Sequence, residues 1–243
     1  MYKLNDFELS KDDDRDFIVD IGESIPQSYR VEELSKPYNQ GTEGSCSAYT
    51  VACIKQYQEY LENKYKINFS TDYIYTQRAN RGTEGMTPRN TMKILMEEGA
   101  LPKENWKNSY KKAIPEEIKL IARNFKIKGY ARAYTIENIK EAIYKHGICY
   151  MAVPVYHFEK NFWHPQSEDQ KRIGGHAIAC VGYEQNRGFE LRNSWGISWG
   201  DSGYTYLPFE DHSYILETWV LIDDTTVGIY KNRKKSRKIF GNR

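Results

Sequence analysis

Cysteine is scarce in this chain. Its 243 residues hold four (Cys46, Cys53, Cys149 and Cys180), with no C-x-x-C pair among them. That scarcity excludes a disulfide scaffold and offers no ligand spacing for structural zinc. Four free thiols and a reducing, cytosol-like compartment are expected, and no metal or other cofactor is implied. Charge of one sign is also lacking: 35 Lys and Arg stand against 33 Asp and Glu, a net of +2. The balance requires no nucleic-acid partner. Only the end of the chain, "KNRKKSRKIFGNR" from Lys231, is strongly basic, which reads as a solvated terminus before it reads as an anion-binding segment. Long hydrophobic runs are missing, since "ICYMAVPVY" and "HAIACVGY" are strand-length; no membrane span is expected. The opening "MYKLNDFELSKDDDRDFIVD" lacks the basic and apolar regions of a Sec signal. Internal repeats and low-complexity linkers are absent, and a monomer is the default.

What is present divides into two characters. From Cys46 to about Tyr65, Ala48, Val51, Ala52, Ile54 and Leu61 follow helical spacing. A second helix is signalled by Thr87 as N-cap, Pro88 in the first position and Gly99 as the stop. A third runs from Thr135 to Gly147. After Gly147, "CYMAVPVY", "HAIACVGYE", "GFELRNSW", "GYTYLPF" and "ETWVLID" are short, β-branched and aromatic segments separated by turn residues. Helices followed by strands predict an α+β protein, a helical lobe packed on an antiparallel β lobe, with a substrate cleft at the seam.

The stretch "NQGTEGSCSAYT" (39–50) sets Cys46 between a Gly-rich turn and a helix start. Backbone N–H groups and the positive dipole end at a helix N-terminus favour a thiolate, so Cys46 reads either as a nucleophile or as a small buried hydrophobe. Its possible partners lie in the second half. His176 opens a strand after Gly174-Gly175, and Asn193 ends the next one. A turn over 185–188 folds these strands into a hairpin, which brings His176 and Asn193 within about two residues of cross-strand opposition. An asparagine there can fix the imidazole tautomer and leave the other ring nitrogen for a cysteine.

"NQGTEGSCSA", "GGHAIACVGYE" and "LRNSWGISWGDSGYTYL" resemble the three signature segments of papain-like cysteine peptidases, in the same order and at similar spacing. The resemblance covers roughly residues 25–206. It implies the papain-like two-lobe fold and a thiol peptidase acting on polypeptide through a thioester acyl-enzyme. Cys46 would be the nucleophile, His176 the base and later the acid, Asn193 its orienting residue, and Gln40 an oxyanion donor. Trp195 would shield the His–Asn hydrogen bond and Trp199 would line the leaving-group side. Gly85 would pair with extended substrate backbone, while Met86 and Ala152 would form the main specificity pocket. The domain limits that follow are an extension over 1–24, a peptidase domain over 25–228 and a basic tail over 229–243. Within the domain the helical lobe spans about 40–130 and the β lobe about 131–228.

Departures from the family pattern matter too. The family's secreted members carry cysteines at the positions of Glu43 and Gly82, so their disulfide is not expected here. Ser47 replaces the usual aromatic residue after the nucleophile. About 20 residues precede "IPQSYR", too few for an inhibitory prodomain of usual length. These features resemble compact bacterial and phage members, for which a cytoplasmic or virion-associated location is expected. Two alternatives stand beside peptide hydrolysis. One is the same machinery on another acyl bond (isopeptide, cell-wall peptide or acyl transfer); the other is a non-catalytic papain-like binding module.

Overall fold

The computed structural model describes residues 9–11, 13, 16–19, 24–106 and 113–223. The basic tail and much of the N-terminal extension lie outside the described residues. The chain runs β1 (Phe17–Ile18), β2 (Tyr29–Arg30), α1 (Cys46–Asn63), α2 (Thr71–Thr76), α3 (Pro88–Glu97) and α4 (Glu116–Ala122). It continues through β3 (Gly129–Arg132), α5 (Ile136–His146), β4 (Cys149–Val155), β5 (Gly174–Glu184), β6 (Gly188–Arg192), β7 (Tyr204–Leu207) and β8 (Glu217–Ile222). The expected caps are in place. Thr87 accepts from the Asn90 N–H with Pro88 following, and Thr135 closes a reciprocal capping box with Asn138. Gly147 ends α5 at a φ of +87°, and a Cβ there would stand 2.4 Å from the Tyr57 ring; a glycine is required by both conformation and space. The short helices α2 and α4 were not expected from periodicity, because six or seven residues hold too few repeats to show one.

The sheet has strand order β1-β3-β8-β4-β5-β6-β7, with β2 added on β5. Every pairing is antiparallel except that of β1 with β3. The described part of the extension is therefore joined to the domain: β1 forms an edge, and the Arg89 guanidinium is paired with Asp16.

Both faces of the central strands are covered, which is why β4 and β5 read as continuous apolar runs. One face carries Tyr150, Ala152, Ala177, Ala179, Trp219 and Leu221 into the core shared with α1. The other carries Cys149, Met151, Val153, Ile178, Cys180 and Val220 into a second core with Ile139, Ala142 and Ile143 of α5. Helix α1 is buried from Cys46 to Glu59 except at Tyr49. Its polar side chains are consequently paired: Lys55 with Glu59 and Asp223, Gln56 with Ser35 and Asn68, and Gln58 with the Leu221 carbonyl. Among the described residues no helix is long and apolar enough to cross a membrane.

Candidate active site

Cys46 is the first residue of α1, so the helix N-terminus inferred from sequence is present. The axis of α1 ends at the start of β5, where the Ala177 N–H donates to the Cys46 sulfur at 3.5 Å. The nucleophile candidate therefore lies against the backbone of the residue that follows His176.

Two pieces of local geometry bring Asn193 to His176. The first is the hairpin of β5 and β6, closed where the Arg187 N–H meets the Glu184 carbonyl. The second is a β-bulge. The register pairs Gly182 with Glu190 but Cys180 with Leu191, so Val181 is an extra residue. Continuing that ladder outward sets position 193 opposite 178 and position 195 opposite 176. Opposed residues share a face, so Asn193 and Trp195 fall on the side of His176. Were Val181 paired within the ladder instead of bulged out, Asn193 would stand opposite Ala179 and point away. Gly182 is where β2 crosses the bulge, and a Cβ there would come 2.7 Å from the Tyr29 carbonyl oxygen.

The tautomer follows from the contacts. Asn193 Oδ1 accepts from the Ser194 N–H at 2.7 Å, and a backbone N–H can only donate, so this atom is the amide oxygen. The same oxygen lies 2.7 Å from His176 Nε2, which must therefore carry the proton. Nδ1 is left with a lone pair, buried and without a hydrogen-bond partner among the described residues. An aromatic box dries this bond. Trp195 stacks on the imidazole with ring centres 4.6 Å apart, and the edge of Phe162 meets it at 5.7 Å. Trp199 packs on both Trp195 and Phe162 while its Nε1–H is held by the Phe158 carbonyl. Trp195 is fully buried, so its place is over the imidazole; Trp199 keeps a small exposed edge. Phe162 was missed from sequence because it sits in the irregular segment between β4 and β5, where no periodicity marks it.

Gln40 is oriented from three sides. Its N–H donates to the Ser194 carbonyl at 2.8 Å, its Oε1 accepts from the Ser194 hydroxyl at 2.6 Å, and its Nε2 donates to the Glu43 carbonyl at 2.8 Å. An amide nitrogen has two hydrogens, so one remains for another acceptor. Ser194, missed as a site residue, thus bonds both Gln40 and Asn193.

Burial sets the resting charge. It pushes the Cys46 thiol up, against the pull of the Ala177 and Ser47 N–H groups. It pushes His176 down to about 4, with the Asn193 hydrogen bond acting the other way. Loss of water outweighs the helix terminus, which corrects the expectation of a thiol pKa lowered by that terminus. Burial thus biases each group, taken by itself, toward its neutral form.

The family model described as papain family cysteine protease matches residues 25–220. This chain belongs to the papain family. A peptidase C1-like protein of Acanthamoeba polyphaga mimivirus is 37% identical over 65 residues, which are 25% of this chain and 21% of that protein. Cysteine proteinase 3 of Entamoeba histolytica is 23% identical over 208 residues, 78% of this chain and 65% of that one. The chain thus spans between a fifth and two thirds of these relatives. Xylellain, a cysteine protease from Xylella fastidiosa, has the same fold at a TM-score of 0.80 and 23% identity, over 91% of this chain and 97% of that one. Procathepsin B S9 from Trypanosoma congolense matches at a TM-score of 0.72 and 13% identity, over 92% and 87%.

The remaining residues implied by the papain-family resemblance are Gly85, Met86 and Ala152. Met86 and Ala152 are buried in the core that includes Cys46. Gly85 has a φ of +87°, and its N–H donates to the Tyr75 hydroxyl at 3.1 Å, so that group is already engaged. All four cysteines are thiols. Cys149 and Cys180, well separated in sequence, face each other across β4 and β5.

Proposed function

We propose that the protein is a cysteine peptidase that hydrolyses peptide bonds in polypeptides through Cys46, His176 and Asn193. The observation that carries this reading is the fixed tautomer of His176, which leaves an unprotonated nitrogen in a dry site whose neighbouring backbone touches the Cys46 sulfur. Cys46 Sγ attacks the scissile carbonyl carbon as its proton passes to His176 Nδ1. The Nε2–H bond to Asn193 holds the ring while it is charged. The second N–H of Gln40 and the Cys46 backbone N–H receive the oxyanion. The tetrahedral adduct collapses, the Nδ1 proton goes to the leaving amine, and a thioester remains. Water then gives a proton to Nδ1 as its oxygen adds to the thioester; the adduct collapses with cleavage of the C–S bond, and the Nδ1 proton returns to the sulfur, releasing the acid and the thiol. Trp195 and Phe162 keep water from the His–Asn bond, and Trp199 faces the leaving-group side.

Met86 and Ala152 form the pocket for the residue two before the cut bond, with an alanine floor that admits Leu, Val or Phe. Digestion of a denatured proteome, with sequencing of the new termini, tests both statements. Peptide-bond cuts following a bulky apolar residue at that position are expected, and Ala152→Phe should shift the preference toward small residues. Absence of cuts above those of Cys46→Ala would overturn the peptidase reading. A profile indifferent to Ala152→Phe would overturn the pocket.

A further inference from the structure

Ser47 stands where the papain family usually has an aromatic ring, and an aromatic ring reaches it from the other lobe. Tyr150 is fully buried on β4, and its hydroxyl lies 2.8 Å from Ser47 Oγ. Ser47 Oγ also lies 3.4 Å from the Met86 carbonyl oxygen. Either hydroxyl can be the donor between Ser47 and Tyr150, and the Ser47 hydroxyl is also within hydrogen-bonding reach of the Cys46 sulfur. Ser47 thus links Tyr150 on β4 with the Met86 carbonyl. Burial, followed by the nearby Cys46 sulfur, raises the Tyr150 hydroxyl well above its ordinary value, so it stays protonated throughout the working pH range.

The three segments joined in this way carry different parts of the site. Ser47 follows Cys46 in the first turn of α1. Tyr150 shares its strand face with Ala152, two residues on, and both lie in the core with Met86. Alanines at 177 and 179 on the neighbouring strand give the tyrosine ring room to lean across the seam: Ala179 stands directly opposite Tyr150, and Ala177 opposite Ala152.

We propose that Tyr150 and Ser47 form a cross-lobe tie that holds Cys46 at a set distance from the pocket of Met86 and Ala152, so that a bulky side chain in that pocket places the scissile carbonyl on the sulfur. Both are positioning residues, and the catalytic part of this inference rests on the peptidase reading above. Energy from a side chain remote from the reacting bond is useful only if the pocket and the nucleophile are rigidly connected, and a misplacement of about 1 Å can cost up to about 100-fold in rate.

The test compares wild type, Tyr150→Phe, Ser47→Ala and the double variant. Each single change should lower kcat about tenfold, with KM changed less than about twofold, for a peptide with Leu two residues before the cut bond. The matching Gly peptide should lose less than about twofold. Alkylation of Cys46 by iodoacetamide in Tyr150→Phe should stay within about twofold of wild type, since a small reagent needs no pocket and the Ser47 hydroxyl beside the sulfur is kept. The double variant should be no worse than either single one. Equal losses for both peptides, additive losses, or slowed alkylation of Tyr150→Phe would overturn the proposal. Urea unfolding of the same four proteins reads the tie without any substrate: losses of stability that do not add support it, and additive losses overturn it. A wild type that cleaves neither peptide overturns the peptidase reading and leaves the unfolding cycle to judge the tie.

Discussion

On the face turned to α1 the two central strands carry Ala152, Ala177 and Ala179 beside Tyr150 and Val181, whereas on the face turned to α5 the same strands carry Met151, Val153 and Ile178 beside Cys149 and Cys180. Small side chains let a helix come close to a sheet, and here the closeness is measured by the Ala177 N–H on the Cys46 sulfur. The other face packs its side chains against Ile139, Ala142 and Ile143 of α5. His176 belongs to that second face, with Trp195, Phe162 and Trp199 around it. The proposed nucleophile and base thus come from opposite sides of one sheet and meet at the end of a strand. A tight face delivers a reacting atom, and the other face keeps its partner dry.

The most drastic way to break this pairing is to remove one member. Cys46→Ala and His176→Ala should each lower kcat/KM for a peptide substrate by about 10,000-fold or more, with little change in urea midpoint. Asn193→Ala should be milder, because the imidazole survives without its guide, and Gln40→Ala should cost about 10- to 1,000-fold. Turnover near wild type in Cys46→Ala would remove the nucleophile assignment.

A finer contrast comes from altering the packing of each face in turn. Ala177→Leu crowds the tight face, at about 1–3 kcal/mol in stability, and by displacing α1 it should reduce kcat/KM by about 100-fold. Ile178→Val thins the other face at about 0.5–1.5 kcal/mol and should leave kcat/KM within about threefold. Chemical unfolding with steady-state kinetics reads both. Equal kinetic losses would mean that the two faces do not divide the work in this way.

Acid should separate two buried histidines. His146, near the end of α5, is pushed down to about 4 by burial and then by the charge of Lys145, and His176 is pushed to about 4 by burial. A folded value below the unfolded 6.5 or so gives stability that is complete above pH 6.5 and is lost as pH falls toward 4. The loss is up to about 3 kcal/mol for each ring. His146→Gln should remove about half of this acid loss in unfolding titrations. The acid limb of kcat/KM should stay near 4, where His176 takes up its proton; a limb near 6.5 would contradict the buried, neutral imidazole. The smallest effect is a label count. Cys46 is 8% exposed, against 2% for Cys53 and none for Cys149 or Cys180. Iodoacetamide on the native chain should add one label, on Cys46, by mass spectrometry, and four after unfolding without reductant.

Much of this arrangement was legible in the sequence where local rules act alone. Thr87-Pro88 and Thr135 announce helices because capping needs only neighbours, and the turn before Gly188 announces a hairpin for the same reason. Asn193 could be placed near His176 because cross-strand distance follows from counting. Which face it would occupy could not be read, since the bulge at Val181 depends on how β2 lies over Gly182. Phe162 was hidden in an irregular segment, and Ser194 was masked by a common residue type whose two hydrogen bonds exist only once Gln40 arrives. The thiol's shift was misjudged because the helix end is visible in sequence, whereas the depth of burial is a property of the whole fold.

The bulge also makes this hairpin sensitive to odd and even. Side chains along β5 alternate, so inserting two residues between His176 and the turn, matched by two on β6, lengthens the ladder and returns Asn193 to the same side. Inserting one residue between His176 and Val181 turns His176 to the side of α1, away from the aromatic box, even if every hydrogen bond of the ladder re-forms. Deleting Val181 alone leaves a flat strand beneath β2 and keeps the parity, whereas adding that deletion to the insertion does not restore it. The tolerance of this part of the chain to length variation is therefore set by arithmetic before it is set by chemistry.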